Sequence, residues 1–393
     1  MEGRAPVNLL YEDSEQALAD SLTALLKDRC GWDKVLARTE SALPDSTGTY
    51  DTELWHMIAA ELGCAGLLIP ESMGGAGASY REAATVAEAL GAAVAPVPFL
   101  GSAVVATACL LACRGSAEAQ QAEHLIRRIA EGELTAALAV PFVTVPGSAY
   151  PMTVRVAGPQ QGDQAAGWSR LRGTVTGVAD ALPAGTLLVP ADGVPHALYA
   201  VDMSTARVTR TAVTSLDMTR QLCDITLDDA PGVKLASGRV ASDAYTAALT
   251  AGAGILAAEQ LGIAQHCLDL TVAYVKERRQ FARPVGSFQA VKHRLADVFV
   301  TVAQARAASR YAADCLATES PDTAVAVSLA KAYCSETAVH AAQECVQLHG
   351  GIGFTWEHQA HLYLKRAKAD SLAFGTADAH RAALAKLVNI PAP

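Results

Sequence analysis

Apolar residues recur at helical spacing through the first third of the chain. Leu18, Leu22 and Leu25 follow one another at near-helical intervals, and a second apolar stripe runs from Leu54 to Leu62. This spacing places the apolar side chains on one face of a helix, where they can be buried together. We therefore predict an N-terminal α-helical domain over residues 1–130.

The pattern changes after these first helices. Proline and glycine become frequent, the helical stripes end, and short runs rich in Val, Leu and Tyr appear at 187–189, 197–201 and 208–213. Such runs, bounded by turn residues, are typical of β-strands. They predict a middle β domain over residues 131–238.

The helical period returns in the last part of the chain, residues 239–393. Leu261 and Leu268 lie on one face of a predicted helix, and residues 322–347 and 357–387 predict further helices. The order is α, then β, then α, with no internal repeat. We therefore predict an α+β fold that ends in a C-terminal helical bundle.

A long uncharged stretch runs from Ala89 to Cys113. A membrane-spanning helix needs about 20 continuous, strongly apolar residues, whereas this stretch is rich in alanine and is interrupted by Pro96 and Pro98. We predict two buried helices joined by a proline-bearing turn, and no membrane span.

Composition and charge restrict the classes of partner. The 393 residues are 51% hydrophobic and 18% charged, which is typical of a globular protein with a large core. A formal net charge of −9 gives no electrostatic basis for binding nucleic acid or an anionic membrane. We expect a small-molecule ligand and other protein subunits as partners.

The nine cysteines are scattered and odd in number, which fits reduced core thiols better than a disulfide framework. Cys109 and Cys113 are the closest pair, at helical spacing with no nearby pair of histidines, so we predict no metal site. The N-terminus, with Glu2 and Arg4, does not have the apolar region of a secretory signal. These features together predict a cytoplasmic location.

Two long segments in the last third carry the functional signal. Residues 274–297 read YVKERRQFARPVGSFQAVKHRLAD, and residues 347–367 read QLHGGIGFTWEHQAHLYLKRA. Together they resemble the acyl-CoA dehydrogenase family, flavoproteins that desaturate an acyl thioester between Cα and Cβ. The resemblance implies an N-terminal helical domain, a middle β-barrel-like domain and a C-terminal four-helix bundle through which subunits form tetramers.

The resemblance also implies FAD as cofactor and a set of residues that contact it. A cluster such as Arg278 and Arg279 at a helix end can simply complement the helix dipole. However, the fixed fork of donors in arginine also suits a pyrophosphate, and in the family these positions reach the FAD of a neighbouring subunit. The implied cofactor-binding residues are Arg278, Gln280, Phe281, Phe288, Gln347, His349, Gly350, Gly351 and Thr376.

The expected catalytic base is missing. Removing the α-proton of a thioester requires a carboxylate with a tuned pKa, which the family places either before a Gly-Thr pair or on the helix matching residues 252–255. Phe374 occupies the first position, and the second holds no acid. Asp370, Asp378 and Glu259 remain as candidate bases, although Glu259 is better interpreted as a helix-capping or interface acid.

The flavin-contacting loops of the β domain also depart from the family pattern. Residues 139–144 read AVPFVT where the family commonly has Thr-Glu-Pro, and residues 173–179 lack the Lys, aromatic and hydroxyl of the family stretch. By this resemblance, the retained motifs are those that serve a neighbour's flavin, and the lost ones are those that serve the chain's own flavin.

Three functions are consistent with these residues. The first, which we predict, is FAD-dependent α,β-dehydrogenation of an acyl thioester on CoA or an acyl carrier protein, with an electron-transfer flavoprotein as acceptor. The second is a non-catalytic subunit that lends Arg278 and Gln347 to a partner's FAD. The third is a flavoenzyme redirected to oxygenation. The assembly is accordingly a homotetramer or a heterotetramer with a related subunit.

Overall fold

The computed structural model describes residues 8–41, 49–157 and 168–390. The charged residues Glu2 and Arg4 lie outside these ranges. The N-terminal region is helical, as predicted, and two of its helices begin with capping boxes, at Glu12 and at Ser79. Its helices are α1 (Asp13–Arg29), α2 (Trp32–Ser41), α3 (Thr52–His56), α4 (Tyr80–Ala92), α5 (Thr107–Ala112) and α6 (Ala119–Ala130).

The uncharged stretch forms buried helices, as predicted. α4 ends at Ala92, the chain turns through the two prolines, and a π-helical segment, Phe99–Ala106, leads directly into α5. Almost all of these residues are buried in the helical core. Proline cannot continue a helix because it lacks the backbone N–H, so the turn falls where Pro96 and Pro98 lie.

The middle region is a seven-stranded sheet. Its strands are β1 (Ala136–Leu138), β2 (Val154–Ala157), β3 (Trp168–Ala179), β4 (Thr186–Ala191), β5 (Ala197–Asp202), β6 (Val208–Val213) and β7 (Leu222–Ser237). They follow the order β1-β4-β5-β7-β3-β2, with β6 paired to β7. In the part of the chain that the structure describes, β1 pairs with β4 in parallel, and the other strand pairs are antiparallel.

The sheet bends nearly closed. The long strand β7 pairs with β3 along one edge and with β6 and then β5 along the other. An isolated bridge between Arg155 and Asp192 joins β2 to the end of β4. Bulges in β3 allow this curvature, because an extra residue bends and twists a strand. The barrel-like middle domain is thus confirmed.

The C-terminal region is a helical bundle in which the first helix packs against the next two, and the third packs against the last two. The helices are α7 (Gly238–Glu277), α8 (Gln289–Ala317), α9 (Thr323–His349), α10 (Ala360–Asp370) and α11 (Ala377–Leu387). α7 is long and apolar enough to cross a membrane, but 89% of its most apolar stretch is buried inside the protein. This is the composition of a core helix.

Candidate active site

The first long motif forms the end of α7 and a short hairpin. Arg279–Gln280 pairs with Arg283–Pro284 across a two-residue turn, Phe281 and Ala282, both with positive φ. Such turns normally select glycine or asparagine. The exposed Phe281 ring packs edge-on against Phe288, and the Arg283 guanidinium lies 3.9 Å from the centroid of the Phe288 ring.

Arg278 and Gln280 are exposed at the base of this hairpin. Within the described residues, no ion pair engages the Arg278 guanidinium, so its donors are free for a ligand. An unpaired arginine beside a rigid turn fits a pyrophosphate group.

The second motif lies at the end of α9. Gln347 is exposed, and Gly350 has φ 63°, a conformation that favours glycine. No atom lies within 4 Å of the place where a Cβ would stand on Gly350 or Gly351, which leaves the backbone open to a ligand. This exposed Gly-Gly backbone fits the close approach of a phosphate or adenosine group.

The structure brings the two motifs together through His349. Its ring stacks on Tyr274 with centroids 4.3 Å apart, and the Tyr274 hydroxyl donates to the His349 carbonyl at 3.4 Å. Its Nδ1 lies 2.7 Å from the Cys345 carbonyl oxygen. The side chain is buried, so it holds the end of α9 against the end of α7. We name Arg278, Gln280, Gln347, Gly350 and Gly351 the arm residues.

Phe374 lies far from the arm residues of the same chain. Its ring packs against Gly252 of α7, where an added Cβ would come within 2.6 Å of the Phe374 Cζ. Arg278 caps the C-terminal end of this helix, about 39 Å from Gly252 along the helix axis at ~1.5 Å per residue. The arm residues and Phe374 therefore belong to two separate sites.

Phe374 is held rigidly in a left-handed conformation, with φ 50°. Its N–H donates to the Phe142 carbonyl at 2.7 Å, and its carbonyl oxygen lies 2.8 Å from His380 Nε2. The Phe142 ring packs edge-on against it, with centroids 5.3 Å apart. Phe374, where the resemblance implies a glutamate, thus meets Gly252, from the 252–255 segment that the resemblance gives as the alternative, at one point that is filled with aromatic carbon.

The space beside this aromatic pair is small. A cavity of about 30 Å³ remains between Leu100, Val105, Val140, Phe142 and Phe374. A volume of this order holds about one water molecule. An acyl chain does not fit there without displacing Phe374 or Phe142.

The remaining candidate bases do not line the small cavity beside Phe374. Asp378 is exposed at the start of α11 and pairs with Arg381 at 3.0 Å. Glu259 is neither a cap nor an interface acid, so that interpretation was wrong: it is buried, with its oxygens 2.7 Å from Arg220 and from Arg366. The apolar character of α7 concealed this internal role.

Asp370 joins the same buried cluster, 2.9 Å from Arg220. Burial together with the nearby Glu259 carboxylate raises the pKa of Asp370. Burial also opposes ionisation of Glu259, but the charges of Arg220 and Arg366 outweigh it and lower the pKa of Glu259. Asp217 completes the cluster by accepting from Arg366 at 3.3 Å. We name these five residues the charge cluster.

The sequence analysis missed Arg220, Arg366 and Asp217. Arg366 lies within the second long motif, but the motif alone does not reveal its partners. Arg220 and Asp217 precede β7 in an Asp-Met-Thr-Arg run, in which Asp217 accepts from the Thr219 hydroxyl at 2.6 Å. Charged residues flanking a strand are usually solvated, so only their burial identifies them.

A larger cavity of about 730 Å³ lies between the sheet and the end of α10. The cavity is lined by Phe142, Val143, Thr176 and Gly177, which belong to the two segments that the resemblance implies would contact a flavin. The acid expected from the family pattern is absent from residues 139–144, and the expected lysine and aromatic are absent from residues 173–179. Thr376, in contrast, is exposed and caps α11 by accepting from the Ala379 N–H at 3.3 Å.

Comparison with known proteins decides the family. The sequence pattern of the acyl-CoA dehydrogenase N-terminal domain matches residues 13–133, and that of the C-terminal domain matches residues 242–388. The chain belongs to the acyl-CoA dehydrogenase family. FAD is the cofactor of this family, so the predictions of family, fold and cofactor are confirmed.

Three relatives illustrate the similarity. Acyl-CoA dehydrogenase IpdE2 of Mycolicibacterium smegmatis is 35% identical over 364 residues, covering 92% of this chain and 95% of IpdE2. A chain of the ChsE4-ChsE5 complex from Mycobacterium tuberculosis is 25% identical, with a TM-score of 0.83 over 98% of this chain and all of that chain. A chain of a Tcur3481-Tcur3483 steroid ACAD variant is 28% identical, with a TM-score of 0.79 over 96% of this chain and 98% of that chain.

Proposed function

We propose that this acyl-CoA dehydrogenase family member is the non-catalytic subunit of a heteromeric enzyme. It lends its arm residues, chiefly Arg278 and Gln347, to the FAD of a related catalytic subunit. The observation that carries the proposal is the Phe374 ring, which stands against Phe142 and Gly252 where a carboxylate and an acyl chain are needed. Dehydrogenation of the acyl thioester, and electron transfer to an electron-transfer flavoprotein, are then activities of the complex.

The separation of the two sites supports this division of labour. About 39 Å of α7 lies between Gly252 and Arg278, so the arm residues serve a flavin held by another chain. The ChsE4-ChsE5 complex is a family relative formed from two proteins. A chain that retains the arm residues but has no catalytic base at residue 374 suits the role of one subunit in such a two-protein complex.

In the proposed complex, the arm residues bind and position the partner's FAD. Arg278 donates to an anionic phosphate oxygen, and Gly350 and Gly351 allow the ligand to approach the backbone. FAD supplies the hydride acceptor when it is bound in the complex. The nine buried free cysteines support a reducing, cytoplasmic setting for the complex.

The composition of the purified protein tests the proposal. Expressed alone, the chain should purify without stoichiometric FAD and should not oxidise acyl thioesters. Co-expressed with a relative that has the catalytic glutamate and the Thr-Glu-Pro loop, it should form a complex with one FAD per pair of chains. Absorbance at the flavin bands and protein quantification give this ratio. One FAD per lone chain with thioester-dependent bleaching would instead support a self-sufficient dehydrogenase.

Replacing Arg278 with alanine should weaken FAD retention by the complex. A charge-assisted phosphate contact in a partly buried interface contributes about 2 kcal/mol, or roughly a thirtyfold change in Kd. The FAD dissociation constant of the reconstituted complex measures this change. Arg239→Ala is the matched control, because Arg239 is exposed at the opposite end of α7 and pairs only weakly, with Asp243 at 3.4 Å. Equal FAD affinities for the two variants would remove Arg278 from the cofactor site.

A further inference from the structure

The loop that carries Gly350 and Gly351 is held at its far end by His358. This loop joins α9 to α10, and His358 lies two residues before Ala360, the first residue of α10. The Ala360 N–H donates to His358 Nδ1 at 3.2 Å. This bond pairs an N–H that has no partner within the helix. His358 Nδ1 must therefore carry no proton for the loop to join α10 in this way.

His358 also contacts the near end of the loop. Its ring centroid lies 4.3 Å from that of His349, and His349 is the last residue of α9, directly before Gly350. Gly353, within the loop, packs so closely on α9 that an added Cβ would come within 3.1 Å of the His349 Cβ. One ring thus contacts both ends of the loop, and its charge bears on the position of the Gly350–Gly351 backbone.

From α9 and α7, the titratable groups around this ring pair are His349, Cys345, Cys267 and Tyr274. Burial opposes a charge on His349, but its hydrogen bonds to Cys345 outweigh burial and raise the pKa of His349. Burial and the His349 charge then lower the pKa of His358, and Cys345, which bonds to Cys267, offsets only part of this effect. His349 therefore takes up a proton first as the pH falls, and a proton on His358 would place a second cation against it.

The groups on the remaining sides give a proton on His358 no support. Burial and the charge of Lys365 lower the pKa of His361, in the first turn of α10, to about 4. His266 of α7 reaches the loop by a hydrogen bond of 3.1 Å, and burial lowers its pKa. Glu357 is exposed and forms no ion pair in the part of the chain that the structure describes. The N-terminus of α10, with its positive dipole end, also disfavours a cation at this position.

We propose that His358 is a pH-sensitive positioning residue for the Gly350–Gly351 backbone. Neutral His358 holds the loop in the form that binds the partner's FAD, and a protonated His358 releases the loop at mildly acidic pH. It is a positioning residue because it acts on the cofactor through the loop. The inference rests on the proposed function and adds a means of regulation to it.

Linkage gives the size and the sign of the effect. In a released loop His358 titrates near its ordinary pKa of about 6.5, whereas in the closed loop its pKa is lowered. The closed loop is therefore fully stabilised above about pH 6.5 and loses this stabilisation as the pH falls toward the lowered pKa. At about pH 5.5, one unit below the ordinary value, the closed form is disfavoured up to about tenfold.

The FAD dissociation constant of the reconstituted complex tests the proposal at about pH 7.5 and about pH 5.5, and we expect about tenfold weaker binding at the lower pH. His358→Asn keeps an acceptor for the backbone N–H two residues on at both pH values, so its FAD affinity should change little with pH. His358→Lys has a permanent charge and no acceptor, so it should bind FAD about tenfold more weakly than the unmodified complex at about pH 7.5. His124→Gln is the matched control at an exposed histidine of α6 and should respond to pH as the unmodified complex does.

Urea denaturation of the lone chain at fixed protein concentration tests the same residue without FAD. Between about pH 7.5 and about pH 5.5, the unfolding equilibrium constant should rise up to about tenfold more for the unmodified chain than for His358→Asn. Equal pH dependence of the two chains, or of FAD binding by the two complexes, would overturn the proposal. If no complex with FAD forms, the proposed function fails while the urea comparison still decides the role of His358. A complex whose FAD affinity does not change with pH keeps the proposed function and refutes this inference.

Discussion

Replacing Glu259 with alanine should lower the free energy of unfolding by about 3–5 kcal/mol. Its carboxylate bridges Arg220 and Arg366, which are both buried. Without it, two guanidinium groups would share Asp370 and Asp217, and part of their positive charge would stay buried without compensation. Removing one partner of a buried ion pair is strongly destabilising. The remaining charge is left without a partner and without its hydration.

Urea denaturation at fixed protein concentration measures this loss, since assembly also affects apparent stability. Glu336→Ala is the matched control, because Glu336 forms an exposed pair with Arg381 and should cost about 1 kcal/mol or less. Glu259→Gln separates charge from volume. The folded-state pKa of Glu259 is lowered, so its stabilisation is present above about pH 4.3 and is lost as the pH falls. Similar losses for Glu259→Ala and Glu336→Ala would contradict the charge cluster.

Replacing Phe374 with glutamate should not make the lone chain a dehydrogenase, although it restores the family's base. The carboxylate would lie against Phe142 and Gly252, and the charged residue that lines the small cavity beside it is another acid, Asp180. Burial of an unpaired acid raises its pKa and destabilises the fold by several kcal/mol. In the heteromeric complex, dehydrogenation should stay within about twofold of the unmodified complex if folding is preserved, because the reacting flavin belongs to the partner.

Thioester-dependent bleaching of the flavin measures activity, and thermal unfolding measures stability. Phe374→Leu is the control for volume, since it removes the ring without adding a charge and should cost about 1–3 kcal/mol. A gain of bleaching by the lone Phe374→Glu variant would show an isoalloxazine ring bound opposite residue 374 and would contradict the subunit proposal. Full FAD occupancy with no thioester reduction in any variant would favour a flavoenzyme redirected to oxygenation.

The sequence by itself predicted the order of helical and β regions and the family. These features are local: helical periodicity, short β-rich runs and two long motifs can all be seen without knowing which elements touch. The absence of an acid at residue 374 and at residues 252–255 was also visible directly. Local signals are sufficient here because backbone hydrogen bonding and amphipathic faces act over a few neighbouring residues.

Only the tertiary structure decided which charged and aromatic groups meet. Glu259 accepts from Arg220 and Arg366, which are 39 and 107 positions away in the chain, and no periodic pattern connects such residues. The same holds for Phe142, which packs on Phe374 from a different domain. These contacts depend on how the sheet docks on α7 and α10. Such long-range packing determines which side chains are buried. Burial in turn determines the charge pairing and the pKa of these groups, so neither is decided until the chain has folded.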